Sequence, residues 1–472
     1  MTERQSVPLP LQLFYAIGEM PITLIQGLIG TFILFFYSSV MGLPGELAGL
    51  GVSAGLVVDA LLDPYIGFRS DRSQLRLGRR QSFMLFGAIG TGPLFFLLMN
   101  PPQGMTQTML FTWLLLTSIA FRFCAATYRI PYLSLGAEMT TDYDLRTRVI
   151  AIRSLFGLTG LLMGNALPFI LFFAKTTDGS DPKLQYAGYP KMGLAFGALM
   201  TVCGIVAVFG TQSRKTFGSP NAEHEGVGHF FRGLWIFLKN RQFRTLLGAF
   251  ALFMLAVVVN FSLVVHYLKW YAKIANPRAL SGIQASFAIG AVVGVVAWIW
   301  ISKRGEKRNL LMGSTLCLSV LLMCTAIFVG EGTLMGTGDF RPLLIGNFVA
   351  GLFASALWVL PFSMMADVAD EDQLLSGVRR EGTMFGIMNF GEKLAVGGAL
   401  QLSGLLLSRF VHLQPGSEAQ TAETIHRIGI SYGFVSGGLL MASALLMIFY
   451  TLNRKRVAEI QEQLKLPVSE VQ

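Results

Sequence analysis

The 472-residue chain is 53% hydrophobic and only 14% charged, against roughly 25% charged in soluble domains, and its mean hydropathy is +0.56. These values exclude an ordinary soluble protein and leave no stretch over for a separate soluble domain. The net charge of +10 raises nucleic acid as a partner, but the basic residues crowd alternate loops between apolar stretches, so the charge is read as membrane topology and nucleic acid is excluded.

A bilayer core about 30 Å thick needs roughly 20 apolar residues per crossing. In chain order the pattern predicts spans over residues 14–41, 46–69, 82–99, 108–136, 149–174 and 191–211, then 242–271, 280–302, 309–330, 341–367, 383–408 and 427–452. The chain is therefore expected to be an all-α membrane protein with twelve transmembrane helices in two six-helix halves. Residues 1–213 form the first half, 214–241 a polar basic linker, 242–456 the second half and 457–472 a tail. Paired six-helix halves around a midplane site are a secondary-transporter architecture. Arginines at 69, 72, 76, 79 and 80, the Lys303 to Arg308 cluster and Arg454 to Arg456 lie in loops on one side, whereas the loops near Gly42 and Pro101 have none. By the positive-inside rule both termini are cytoplasmic, and the start, MTERQSVPLP, lacks the pattern of a cleaved signal peptide.

Ionisable residues within the spans carry the most information, because a charge at the bilayer centre costs at least ~2.5 kcal/mol unless it meets a partner or water. They are Glu19 in span one, Asp59 and Asp63 in span two, Arg122 and Arg129 in span four and Arg153 in span five. His266 and Lys269 follow in span seven, Asp367 at the end of span ten, and Glu392 and Lys393 in span eleven. Asp59 and Asp63 stand one helical turn apart on one face, a pair able to hold sodium or to share a proton. Arg129, Arg153 and Lys393 bring positive charge from three helices and suit an anion. Trp358, deep in span ten, can stack on a sugar ring, whereas Tyr267, Trp270 and Tyr271 read as interface anchors. Cys124, Cys203, Cys317 and Cys324 lack metal or disulfide spacing and read as packing residues. The five histidines make no metal-spacing pair, which argues against a membrane-embedded enzyme, and no metal or cofactor beyond a coupling ion is expected. Gly51-Val-Ser-Ala-Gly55 and Asn260-Phe-Ser262 match a nucleophile elbow and a glycosylation acceptor only formally, since both fall inside spans.

Two cytoplasmic turns, Gly67 to Arg80 and Asp367 to Gly382, combine glycine, acids and arginines. Charge pairs at such turns can latch helix ends in one conformation and release them in another. Asp71, Arg72, Arg79, Arg80, Asp367, Arg379 and Arg380 are the gating candidates.

Asp59-Ala-Leu-Leu-Asp63-Pro64 with Gly67, the Asp71-Arg72 to Gly78-Arg79-Arg80 loop, Ile130-Pro131-Tyr132, and Ala366-Asp367-Val368 through Arg380-Glu381 to Lys393 together resemble the glycoside-pentoside-hexuronide:cation symporter family of the major facilitator superfamily. The likeness covers nearly the whole chain. It implies the major facilitator fold, with Asp59 and Asp63 as cation-binding carboxylates and Lys393, Arg153 and Trp358 in the sugar cavity. Glu19, Arg129 and Asn389 complete the expected substrate-binding set. The chain departs from the family's galactoside-binding pattern where Met20, Arg129 and Leu133 replace two acids and a stacking tryptophan. Leu62 and Ala126 replace two residues that assist sodium binding. Exchange of a carboxylate for Arg129 favours an acidic ligand, and loss of oxygen ligands favours proton over sodium. The expected function is cation-coupled symport of an anionic glycoside or uronide across the plasma or inner membrane by a monomer, with a lysophospholipid as the alternative substrate.

Overall fold

The computed structural model describes residues 7–139, 143–173, 181–214, 235, 237–377 and 381–464. Every regular element among them is helical. Eleven helices are long and apolar enough to cross a membrane. They are α1 (Leu9–Val40), α2 (Gly45–Asp71), α3 (Gln81–Leu98), α4 (Gln107–Glu138), α5 (Tyr143–Leu171), α6 (Gly188–Gly210), α7 (Arg241–Tyr271), α8 (Pro277–Ser302), α9 (Lys307–Phe328), α10 (Arg341–Ser376) and, after α11, α12 (Ala422–Phe449). The intervening helix α11 (Glu381–Leu405) carries Glu392 and Lys393 and is not among the eleven. A short α13 (Arg454–Gln463) follows.

Local chemistry sets the ends. Thr106 caps α4 by accepting from the Met109 N–H, Asn240 caps α7 by accepting from Gln242 and Phe243, and Asn276 with Pro277 opens α8. Gly377, with φ +71°, closes α10 in the left-handed cap that favours glycine. Of the two turns expected to hold the gating charges, the Asp367 to Gly382 turn is helical through Ser376, whereas the Gly67 to Arg80 turn is helical only as far as Asp71. No breaker stands between Asp367 and Gly377, so α10 carries the Asp367 to Asp372 acids on its last turns, and α2 likewise runs on through Asp71. Of the expected linker, residues 215–234 and 236 lie outside the described residues, as do Arg379, Arg380 and the tail from 465. The described part of the tail docks on α10, where Gln461 donates to Asp370 at 3.0 Å and Ile460 is buried.

The apolar core divides unequally between the two ends of the bundle. At the end away from the chain termini, one continuous cluster joins α1 (Leu24 to Tyr37) to α7 (Val259 to Tyr271), α11 and α12. At the terminus end there are two separate clusters. One is built on Leu11, Tyr15, Tyr128, Tyr132 and Val208, the other on Phe250, Leu360, Met364, Met388 and Ile460. The bundle is sealed at one end and parted at the other. Tyr267, Trp270 and Tyr271, expected as interface anchors, are buried in the seal, where Tyr267 stacks on Tyr432 with ring centroids 4.0 Å apart. A helix end that meets a facing helix rather than lipid buries its aromatic residues in the joint.

Polar contacts also cross the seal. His266 Nε2 lies 3.4 and 3.3 Å from the Ser38 and Ser39 hydroxyls, Lys269 Nζ is 3.3 Å from Asp181, and Arg409 pairs with Glu46 at 2.8 Å. Burial pulls the Asp181 carboxyl up, but Lys183 and Lys269 outweigh it and hold it below the ordinary range. Helices α2 and α11 touch backbone to backbone here: a Cβ on Gly404 would stand 2.1 Å from the Gly45 carbonyl oxygen. Small residues permit that approach. Gly404→Val forces the helices apart and should lower the melting temperature of the purified protein, an overpacking cost on the order of 1–3 kcal/mol, whereas the same change at Gly438, which has open space around it, should leave it unaltered.

Candidate functional site

Between the sealed end and the parting lies a chamber of about 220 Å³, lined by α1, α2, α4, α5, α7, α8, α10 and α11. Its charged lining is Asp59, Arg122, Arg129, Glu392 and Lys393, set among Phe253, Phe261, Phe287 and Trp358. Trp358 is 41% exposed, so this wall is open to solvent.

The one-turn spacing on α2 places both carboxylates toward α11. The two helices pack here at ordinary side-chain distance, since a Cβ on Gly397 would meet Leu56 at 3.5 Å. Lys393 Nζ sits between the acids, 2.9 Å from Asp59 and 2.5 Å from Asp63. Asp59 and Lys393 are buried. Two carboxylates share one ammonium, which leaves one negative charge uncompensated within the triad. Asp63 Oδ1 is buried without a hydrogen-bond partner among the described residues. Oxygen ligands beyond the pair are scarce: Leu62 and Ala126 have none to give, and the Thr127 hydroxyl donates to Phe123 O at 2.7 Å within its own helix.

Arg122 and Arg129 are seven residues apart on α4, two turns along one face. Both line the chamber, and neither makes an ion pair among the described residues. Arg122 lies within electrostatic reach of Asp59 and of Arg129, and Glu392 within reach of Arg129 and Lys393. The sequence reading singled out Arg129. It left Arg122 and Glu392 outside the site, although a seven-residue helical repeat puts Arg122 on the face of Arg129.

Other expected members sit elsewhere. Arg153 Nε is 3.4 Å from Glu19. This pair lies by the column in which Tyr132 stacks on Tyr15 and Tyr128, on the parted side, and lines no wall of the chamber. Asn389 is exposed on α11 and is likewise absent from the lining. Expected as parts of one substrate set, Glu19 and Arg153 instead neutralise each other, because two opposite charges brought together in a membrane interior relieve each other's desolvation.

At the terminus end Arg80 reaches Asp71 at 2.5 Å, Glu138 at 2.7 Å and the Ser70 hydroxyl at 2.7 Å, while Arg79 reaches Glu138 at 2.9 Å. Arg72 lies 4.1 Å from the Phe68 ring centroid. Lys307 pairs with Asp367 at 2.6 Å. These contacts tie α2 to α3 and α4, and α9 to α10. Glu138 and Lys307, their partners, and the cross-seal set of Ser38, Glu46, Asp181, His266, Lys269 and Arg409 were not in the expected site.

Residues 14–454 match the family of MFS/sugar transport proteins. The chain belongs to that family. It is a family of transporters, not enzymes, and the chain is accordingly a multi-pass membrane protein with the all-helical major facilitator fold. An uncharacterised symporter of Synechocystis sp. is 25% identical, with 96% of each chain covered. The isoprimeverose transporter of Lactiplantibacillus pentosus is 23% identical over 98% of this chain and 93% of its own. The sodium-dependent lysophosphatidylcholine symporter 1 of Gallus gallus is 22% identical over 96% of this chain and 88% of its own. In fold the chain is similar to a D-xylose–proton symporter, with a TM-score of 0.66 at 12% identity, over 95% of this chain and 98% of that one.

The shared ammonium yields a test on the protein alone. Lys393→Met leaves two carboxylates facing each other, and removal of one partner from a buried pair costs about 3–5 kcal/mol. At neutral pH the variant should melt below the parent. Protonation of one acid relieves the repulsion, so the difference should shrink as the pH is lowered from about 8 to about 5. A difference that is constant across that range would show that Lys393 does not balance the acids.

Proposed function

We propose that the chain is a cation-coupled symporter that imports an acidic glycoside or uronide by alternating access. The observation that carries this reading is the pair of chamber arginines without ion-pair partners beside an acid pair that shares one lysine. With all side groups ionised, the carboxylates of Asp59, Asp63 and Glu392 face the cations of Arg122, Arg129 and Lys393, and the chamber is neutral. A proton or sodium ion at Asp59 and Asp63 makes it positive by one, and a monoanionic substrate held by the arginines restores neutrality. A net charge in a poorly hydrated cavity is costly, so the loaded and empty chambers are the two favoured states and each solute raises the affinity for the other. That reciprocity is the thermodynamic content of symport.

In this reading twelve helices cross the membrane in two six-helix halves, α11 among them, and the chain works as a monomer. The basic loops place both termini in the cytoplasm, so the parted end faces inward and the seal faces out. Asp59 and Asp63 bind the cation; Arg129, Arg122, Trp358 and Lys393 surround the substrate; Arg153 and Glu19 lie on the path to the cytoplasm. The scarcity of oxygen ligands favours the proton, which needs one carboxylate, over sodium, which needs several. A lysophospholipid is the second reading, supported by the name of the Gallus gallus relative, with its head group on Arg129.

Reconstituted into liposomes, the protein should accumulate labelled glucuronide against its gradient under an imposed inward proton gradient, and a protonophore should abolish accumulation. Strong stimulation by sodium at a fixed proton gradient would reverse the order of the two ions. Asp59→Asn and Asp63→Asn should each lose uphill uptake while exchange of preloaded substrate survives better.

Arg129→Gln should weaken binding of an acidic sugar by about 2–5 kcal/mol, the range for losing one partner of a buried charge pair. Arg129→Lys keeps the charge without the planar fork and should retain part of the activity. Unaltered affinity in Arg129→Gln, read by titration of the purified protein, would overturn the anionic-substrate reading.

A further inference from the structure

A second cavity, about 480 Å³ in volume, lies among α7, α8, α9, α10 and α12. Val257, Phe261, Phe287 and Ala354 line both this cavity and the chamber, so the two spaces share a wall. On α10 its floor is Gly346, Ala350 and Ala354, which recur every fourth residue and so form one smooth strip along one face. A Cβ on Gly346 would meet nothing within 4 Å. The cavity's far rim includes Phe328 and Ile345, 39% and 64% exposed. Protein interiors are packed like organic crystals, and an unfilled apolar space of this size forfeits contacts on every side, so it is suited to an apolar guest.

We propose that this cavity is an aglycone subsite: the transported anion is a glycoside whose acidic sugar occupies the chamber and whose apolar aglycone lies along the Gly346, Ala350 and Ala354 strip. The proposal rests on the reading of the chamber as an acidic-sugar site. Continuity with that chamber selects the occupant, because a guest with an apolar end here and an anionic end at Arg122 and Arg129 satisfies both spaces at once. A bilayer lipid entering at the rim would satisfy only the apolar one.

The test compares methyl β-glucuronide with octyl β-glucuronide, titrated onto the full chain in nanodiscs. Burial of the alkyl chain should make the octyl compound bind about tenfold or more tightly than the methyl one. Ala350→Trp fills the cavity from a residue that does not itself line the chamber, and should abolish the octyl advantage while methyl glucuronide binds as in the parent; Gly346→Leu serves as a second filling variant should the first fail to fold. Equal affinities for the two glucuronides in the parent, or an octyl advantage that survives both variants as simple partition into lipid, would overturn the subsite and leave the chamber reading intact. Absence of binding by either glucuronide would overturn the chamber reading as well. Binding of lysophosphatidylcholine that the filling variants remove, without an octyl-glucuronide advantage, would assign the cavity to a lysolipid chain instead.

Discussion

One ammonium between two carboxylates, in a membrane interior, constrains the rest of the molecule. Lys393 comes from α11, Asp59 and Asp63 from α2, so the ion cluster is also a cross-link between the early and the late helices of the chain. Three charges in that space cannot cancel, and the surrounding groups must supply the difference. Arg122 and Arg129, together with Glu392, do so at the level of the chamber, where three carboxylates face three cations. The cost of each charge is lowered by the others, so the cluster stands or falls as a unit and single substitutions within it are expected to be strongly non-additive.

The same two helices make the closest backbone approach at the sealed end, through Gly45 and Gly404. Any movement that opens the seal turns α2 against α11 and therefore changes the distances within the cluster. In the proposed reading, coupling of ion occupancy to conformation needs no separate relay, because the site is built across the surface that moves. The ion pairs of Arg80 with Asp71 and Glu138 join neighbouring helices, α2, α3 and α4.

Much of the fold was legible because lipid allows few solutions: a backbone that cannot bond to solvent becomes helix, and apolar length then marks each crossing. The carboxylate pair was legible for a related reason, since Asp59 and Asp63 at helical spacing inside an apolar stretch have no bland explanation. Lys393 was legible as a positive charge within a span, but its place between the two acids was not, as sequence does not show which helix faces α2. Arg122 was legible in principle from its seven-residue offset to Arg129, but a periodicity says which residues share a face and not that the face borders a cavity. The pairing of Glu19 with Arg153, the exposure of Asn389 and the contacts of His266 across the seal depend on how helices distant in sequence are rotated against each other. No local pattern encodes that rotation.

The preference for the parted terminus end has its origin in apolar burial more than in ion pairs. Of the charged contacts across the seal, Arg409 is 75% exposed in its pair with Glu46, and such exposed pairs contribute about 0–1 kcal/mol. Lys269 and Asp181 are better shielded, at 8% and 26%, yet each is partly offset by its own desolvation. Against these stands a continuous core of aromatic and aliphatic side chains from α1, α7, α11 and α12, where each buried side chain of that size contributes roughly 1.5–3 kcal/mol. Among the described residues the terminus end has two unjoined clusters, and in the proposed reading its closure draws on what the chamber gains when it is loaded and neutral. A seal held mainly by non-directional burial can open over a broad path, whereas the charge pairs, which act only at short range and in defined geometry, fix where it closes.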